Sequence, residues 1–407
     1  MTLALTRAAR GLALPALLAA LAGCATVTPK TALMDDARPA TRELLRISPH
    51  DRARGVLAGD PFEVRAPRGR LTQVTVTEVR DGVSRPVAGA VSADGHAWRP
   101  AAPRLDLAAR YTVDAVAVDA TGRRTARHTT FTTYVPEHRF VGYFAPEPGS
   151  TVGTGMIVSF GFSRPVTDRA AVERAIRVTS RPPVEVVGHW FGPSRLDFRP
   201  RTYWRPGTQV TLDLRLRDVR AARGVYGIQR KTVAFTIGRS QVSRVDATAH
   251  TMRVVRDGRT VATVPVTTGA AGTDTYSGRM VVTDKFPVTR MNGDTVGFGG
   301  EYDISDVPHA LRLTGSGTFL HGNYWAPPDA FGARNTSHGC IGLRDVQGGG
   351  ADTPAGWFYA STLVGDVVEV VGSPERVVAP DNGLGGWNLT WEQWRAGSAL
   401  GPRIAGD

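Results

Sequence analysis

From about residue 47 onward, short runs such as Val113-Asp114-Ala115-Val116 and Val210-Thr211-Leu212-Asp213 put apolar side chains at every second position. That is the period of a half-buried strand, and prolines and glycines break the runs into turns. The pattern repeats itself. Trp98-Arg99-Pro100, Tyr111-Thr112-Val113-Asp114 and Phe131-Thr132 are answered about a hundred residues later by Phe198-Arg199-Pro200, Gln209-Val210-Thr211-Leu212-Asp213 and Phe235-Thr236. The repeat length is that of an immunoglobulin-like sandwich. It predicts two tandem immunoglobulin-like β-sandwiches, over 47–136 and 137–238, with one short helix between Asp168 and Ile176. Neither holds a cluster of acid, base and nucleophile, so they read as a stalk.

A third β-rich region follows, over 239–372. Met252 to Val264 reads as a hairpin whose Asp257-Gly258 supplies the positive φ angles of a tight turn. Gly269, Gly272, Gly278, Gly297, Gly299 and Gly300 mark loops between further short strands, predicting a compact, mostly antiparallel fold. The best helix signal is Pro354 to Leu363. In the tail, 373–407, Trp387, Trp391 and Trp394 fall at i, i+4 and i+7, and Thr390 and Gln393 have capping-box spacing. This predicts a short helix whose tryptophans dock onto the surface of the third region itself. The fold class expected is mainly β, with a short C-terminal helical tail.

The N-terminus breaks this pattern. Arg7 and Arg10 precede an apolar run, Gly11 to Leu21, too short to cross a bilayer. It ends in Leu21-Ala22-Gly23-Cys24, which resembles a lipoprotein signal: residues 1–23 would be removed and Cys24 lipidated. A polar stretch, 24–46, would then tether an exported, membrane-anchored protein facing the cell wall. The formal charge of +12 comes from arginines scattered through alternating strands, with no dense run and no nucleic-acid motif. It therefore points away from nucleic acid and toward anionic wall polymers or headgroups.

The chain has two cysteines in 407 residues. If Cys24 carries lipid, Cys340 is a lone thiol in an oxidising compartment, where cysteines otherwise pair. Cys340 lies in Thr336-Ser337-His338-Gly339-Cys340-Ile341, nineteen positions after His321 in Phe319-Leu320-His321-Gly322. A thiol of ordinary pKa ~8.5 needs an imidazole to take its proton. A glycine before it admits substrate and leaves the N–H groups of Gly339 and Cys340 to face an oxyanion. The base needs an orienting partner, and the carbonyl of Gly322 is the economical one. Spacing alone does not say which of His321 and His338 is the base. A zinc site built from His321, His338 and Cys340 matches no ligand spacing, so no metal or other cofactor is expected.

These residues resemble the L,D-transpeptidase (YkuD) catalytic domain, over about Ser240 to Gly372. The hairpin, Thr267-Thr268-Gly269 and Gly365-Asp366-Val367-Val368 fit it too, and the sandwiches and the Trp387-Asn388-Leu389-Thr390-Trp391 tail look like the actinobacterial members. The resemblance implies a cysteine acyltransferase that joins third residues of peptidoglycan stem peptides through a thioester. Cys340 would be the nucleophile and His321 the base, with His338, Gly339 and Gly322 shaping the site. Met291, Tyr302, Trp325, Asn335, Thr336 and Ser337 match positions that line the substrate pocket. Carbapenems are implied as covalent inhibitors. Gly342 departs from the Asn or Arg that many relatives carry there. The same thiol would also serve an L,D-carboxypeptidase or a wall-anchoring transpeptidase. A non-catalytic wall-binding lipoprotein would leave His321 and Cys340 without a use.

Overall fold

The computed structural model describes residues 44–297 and 299–401; Cys24, the signal and most of the tether lie outside them. The fold is mainly β. In the first sandwich one sheet runs Arg46–Ser48, Glu63–Arg65, Ala97–Pro100, Gly89–Val91 and the other Val83–Pro86, Gly69–Arg80, Arg110–Asp119, Arg124–Thr132. In the second, Gly142–Ala145, Val158–Phe162, Arg195–Pro200, Val186–Phe191 face Thr151–Val152, Arg230–Ile237, Gln209–Arg215, Ile176–Arg181. The repeated motifs occupy matching places: Trp98, Tyr111 and Phe131 are buried in one core, and Phe198, Val210 and Phe235 in the other. Asp168 caps the short helix Arg169–Arg174, accepting from the Ala171 N–H. Arg80 and Asp218, both buried, join the two sandwiches in an ion pair of 2.8 Å.

The third region is one nine-stranded sheet. Its order is Gly278–Val281, Val367–Val371, Gln241–Asp246, Thr251–Arg256, Arg259–Thr267, Ile341–Arg344, Phe319–Asn323, Asp303–Arg312, Asp284–Asn292. Pairing is antiparallel except for Gln241–Asp246 with Val367–Val371 and Phe319–Asn323 with Ile341–Arg344. The hairpin turn is as the sequence requires, Asp257 at φ 48° and Gly258 at φ 80°. The helix Pro354–Ser361, capped by Thr353, covers this sheet.

The second sandwich packs backbone to backbone against this sheet. Gly153 and Gly155 donate N–H to the carbonyls of Val364 (2.7 Å) and Gly365 (2.9 Å), an approach a Cβ at either glycine would block. Arg239 closes the joint on Asp366 at 2.9 Å.

The tail corrects one expectation. Its helix, Trp391–Ala396, has the capping box of Thr390 and Gln393, but its tryptophans dock onto the second sandwich rather than onto the third region. Indole N–H groups need acceptors when buried, and the sandwich supplies them: Trp387 Nε1 donates to Gly155 O (2.7 Å) and Trp394 Nε1 to Val187 O (2.9 Å). Arg199 completes the seat. Its guanidinium is buried, donates to the carbonyls of Pro200 and Leu389, and lies 4.6, 5.5 and 4.5 Å from the rings of Trp387, Trp391 and Trp394. Burial lowers its pKa to about 10, and three aromatic faces offset part of the lost hydration.

Before the helix, the tail crosses from one unit to the other. Arg195 of the sandwich donates to the carbonyls of Asp381 (2.6 Å) and Gly383 (2.5 Å). Between them, Asn382 grips Ser316 of the nine-stranded unit, accepting from its N–H (3.0 Å) and donating to its Oγ (2.8 Å).

Candidate active site

Phe319–Asn323 is buried along its whole length. It pairs in parallel with Ile341–Arg344, Leu320 opposite Ile341 and His321 opposite Gly342. Cys340, one residue before that strand, therefore arrives level with Phe319. His321 and Cys340 line a common cavity of about 300 Å³ with Met291, Tyr302, Trp325, Thr336, Ser337 and His338. Of the expected lining residues all but Asn335 are in it. Ile304, Asn323, Ala326 and Pro327 line it as well; nothing in the sequence marks these four beyond their nearness to His321 and Tyr302. A larger cleft of about 500 Å³, between the second sandwich and the tail, has neither cysteine nor histidine in its wall.

His321 is buried, and its Nδ1 lies 2.9 Å from Gly322 O. Only a protonated Nδ1 can make that bond to a carbonyl, which puts the lone pair of the neutral ring on Nε2. The Gly322 backbone was the expected partner. Its lack of a side chain has a separate cause: a Cβ there would run into the carboxylate of Asp345. That buried carboxylate pairs with His309 at 2.7 Å and accepts from the N–H groups of Val346 and Gly350 and from Thr353 Oγ1.

Burial lowers the pKa of His321, opposed by its bond to Gly322. Burial also pushes the Cys340 thiol up to about 11, opposed by a backbone hydrogen bond with Phe319. Both shifts favour the uncharged forms, thiol and imidazole. The sulfur rests 3.8 Å from Gly317 O, in the hairpin that Asn382 grips.

Two expectations are corrected. Gly339 (φ 107°) does not leave its N–H open: Ser337 Oγ accepts it at 3.2 Å while donating to Cys340 O at 2.6 Å. The serine hydroxyl bends back under the turn and braces the backbone that carries Cys340, while the residue still lines the cavity. Asn335 does not face the cavity. Its amide oxygen takes the Thr268 N–H (3.1 Å) and meets His250 Nδ1 (2.9 Å), and its nitrogen donates to Ala247 O (3.0 Å). Buried backbone donors and acceptors claim it from behind. His338, two residues before Cys340, meets Glu301 Oε2 through Nε2 at 2.9 Å and packs 5.0 Å from the Tyr302 ring. Among the described residues no group of three or more His, Cys, Asp or Glu is placed to hold a metal ion. A Cβ at Gly342 would run into Thr267 Cγ2 at 2.8 Å, with the Asn323 side chain 3.3 Å away.

Residues 240–370 match the L,D-transpeptidase catalytic domain, and residues 53–220 match a bacterial Ig domain. L,D-transpeptidase 2 of Mycobacterium tuberculosis (strain CDC 1551 / Oshkosh) is 34% identical over 358 residues, covering 87% of this chain and 85% of that protein. L,D-transpeptidase 5 of Mycobacterium tuberculosis (strain ATCC 25618 / H37Rv) is 32% identical over 410 residues, covering 99% and 86%. Among solved structures, the LD transpeptidase LdtMt1 in complex with imipenem aligns at a TM-score of 0.48 and 29% identity, over 58% of this chain and 100% of that one. With the relatives matched over most of both lengths, the chain belongs to the L,D-transpeptidase family.

Proposed function

We propose that the protein cross-links peptidoglycan, joining third residues of stem peptides through a thioester on Cys340. One arrangement carries the reading: the Cys340 thiol and the His321 imidazole share a cavity, with His321 Nδ1 committed to the Gly322 carbonyl and Nε2 therefore basic. Cys340 Sγ attacks the carbonyl carbon of the third residue of a tetrapeptide donor. The thiol hydrogen turns from the Gly317 carbonyl to Nε2 as the S–C bond forms, and His321 delivers it to the departing D-alanine nitrogen. We assign the oxyanion to the Cys340 N–H and the Tyr302 hydroxyl. Tyr302 lines the cavity, and burial and the neighbouring Cys340 and Glu301 push it up to about 12, which keeps it a donor. An amine on the third residue of a second stem then displaces the sulfur.

The test is incubation of the purified full chain with disaccharide-tetrapeptide and tandem mass spectrometry of the products. A dimer joined through third residues is expected. Tripeptide alone would make the protein a carboxypeptidase, and unchanged substrate would remove the enzymatic reading.

Attachment to the membrane through Cys24 is part of the same proposal, supported by the small-residue run that ends on that cysteine. Wild-type protein is expected to partition into detergent, and Cys24→Ala either to be released or to keep its signal uncleaved. Normal processing with undiminished membrane association in the variant would overturn it.

A further inference from the structure

The chain carries 49 Lys and Arg against 37 Asp and Glu, yet none of the residues lining the cavity of Cys340 is a lysine or an arginine. A carboxylate stands at its rim, against the lining residue His338. Glu301 sits beside Tyr302 on a loop that Gly297, Gly299 and Gly300 turn through left-handed conformations (φ 88°, 50° and 77°). Its Oε2 meets His338 Nε2 at 2.9 Å, and the side chains are 60% and 37% exposed. Tyr302, the residue after Glu301, lines the cavity together with Cys340, and its hydroxyl feels both neighbours electrostatically. A contact this open adds little to folding. Its position is informative instead: it leaves a carboxylate at the mouth of a cavity whose second substrate, on the reading above, is a primary amine. An alkylamine of pKa ~10.4 arrives as an ammonium.

We propose that Glu301, held at the cavity rim by His338, binds the ammonium of the acceptor and so sets the preference for an amine over water in resolving the acyl-enzyme. The inference rests on the proposed transpeptidation. The ammonium docks against the carboxylate and loses one proton to solvent. The freed nitrogen attacks the thioester carbon, the C–S bond breaks, and His321 carries the second proton from nitrogen to the departing sulfur. Amide, thiol and one released proton account for every atom. Water carries no charge and gains nothing from Glu301, so the carboxylate separates the two outcomes without touching the donor half of the reaction.

The experiment compares wild type, Glu301→Gln and Glu301→Asp, as full chains, with disaccharide-tetrapeptide as both donor and acceptor. It reads the ratio of cross-linked dimer to hydrolysed tripeptide. Glu301→Gln is expected to lower that ratio about three- to tenfold, the scale of a lost charge complementarity at a partly open site, with Glu301→Asp in between. Added salt should lower the wild-type ratio and barely move that of the glutamine variant. Hydroxylamine, uncharged at neutral pH, should trap the acyl-enzyme equally well in both. An unchanged ratio would overturn the proposal. So would a loss of hydroxylamine trapping parallel to the loss of dimer, which would mean that Glu301 only holds the loop. Wild type forming neither product nor hydroxamate would sink the transpeptidase reading and this inference with it, whereas an unchanged ratio in an active protein sinks this inference alone.

Discussion

A Cys340→Ala protein is expected to fold as wild type does, to make no detectable product from tetrapeptide stems, and to take up no carbapenem. The fold should survive because the sulfur supports little: it is half-buried, forms no disulfide, and makes weak contacts with the backbone of Gly317 and Phe319. The methyl group left behind still packs. Chemistry should not survive, since the cavity wall offers no other thiol to carry the acyl group. Wild type exposed to a carbapenem, whose strained ring carbonyl can acylate a thiol, should gain one inhibitor mass per chain on the peptide containing Cys340. Circular dichroism, product analysis and intact-mass spectrometry read the three parts separately. Labelling that persisted in the alanine protein would remove Cys340 from the centre of the mechanism.

His321→Ala should cost about 10²–10⁴-fold in kcat/KM, the range of general-base assistance, while His338→Gln costs far less. The two rings differ in setting. His321 is buried with its Nδ1 held by a backbone carbonyl; His338 stands at the rim against Glu301. The pH dependence follows from the same burial. A histidine whose pKa is lowered stays in its neutral, basic form to more acid pH, so the acid limb of kcat/KM should lie below the ordinary 6.5 and activity fall as pH drops through it. The thiol, pushed up to about 11, should behave oppositely in the free enzyme: alkylation by iodoacetamide should keep rising through pH 8 and 9 instead of levelling off. Early levelling would mean a preformed thiolate–imidazolium pair. Greater damage from His338→Gln, in a folded protein, would reverse the assignment of the base.

What the sequence made legible was local. Strand alternation, the Asp257-Gly258 turn and the Thr390–Gln393 capping box each depend on a few adjacent residues, and each stands in the structure as read. Hidden features were those in which distant segments compete for one polar group. Asn335 looked like a pocket residue because it neighbours the motif, but Thr268, Ala247 and His250, up to 88 positions away, engage its amide. Gly339 looked open because glycine has no side chain, and a hydroxyl two residues upstream closes it. The tryptophans were expected on the third region, and Arg199 with the carbonyls of Gly155 and Val187 draws them onto the second sandwich instead. The Asp345–His309 pair beneath Gly322 has no motif at all.

The grip of Arg195 on the 381–383 turn, and of Asn382 on the hairpin behind the sulfur, changes how this gene can evolve. Written out, the chain is three modules and a tail, and shuffling would treat each as exchangeable. The contacts make the second sandwich, the nine-stranded unit and the tail a single heritable block. A foreign sandwich without an arginine at the place of Arg195 would release the turn, loosen Ser316, and leave the carbonyl of Gly317 unfixed beside the Cys340 sulfur. Recombination that keeps the enzyme working must therefore cut ahead of the second sandwich, where the Arg80–Asp218 pair is the bond to be re-made.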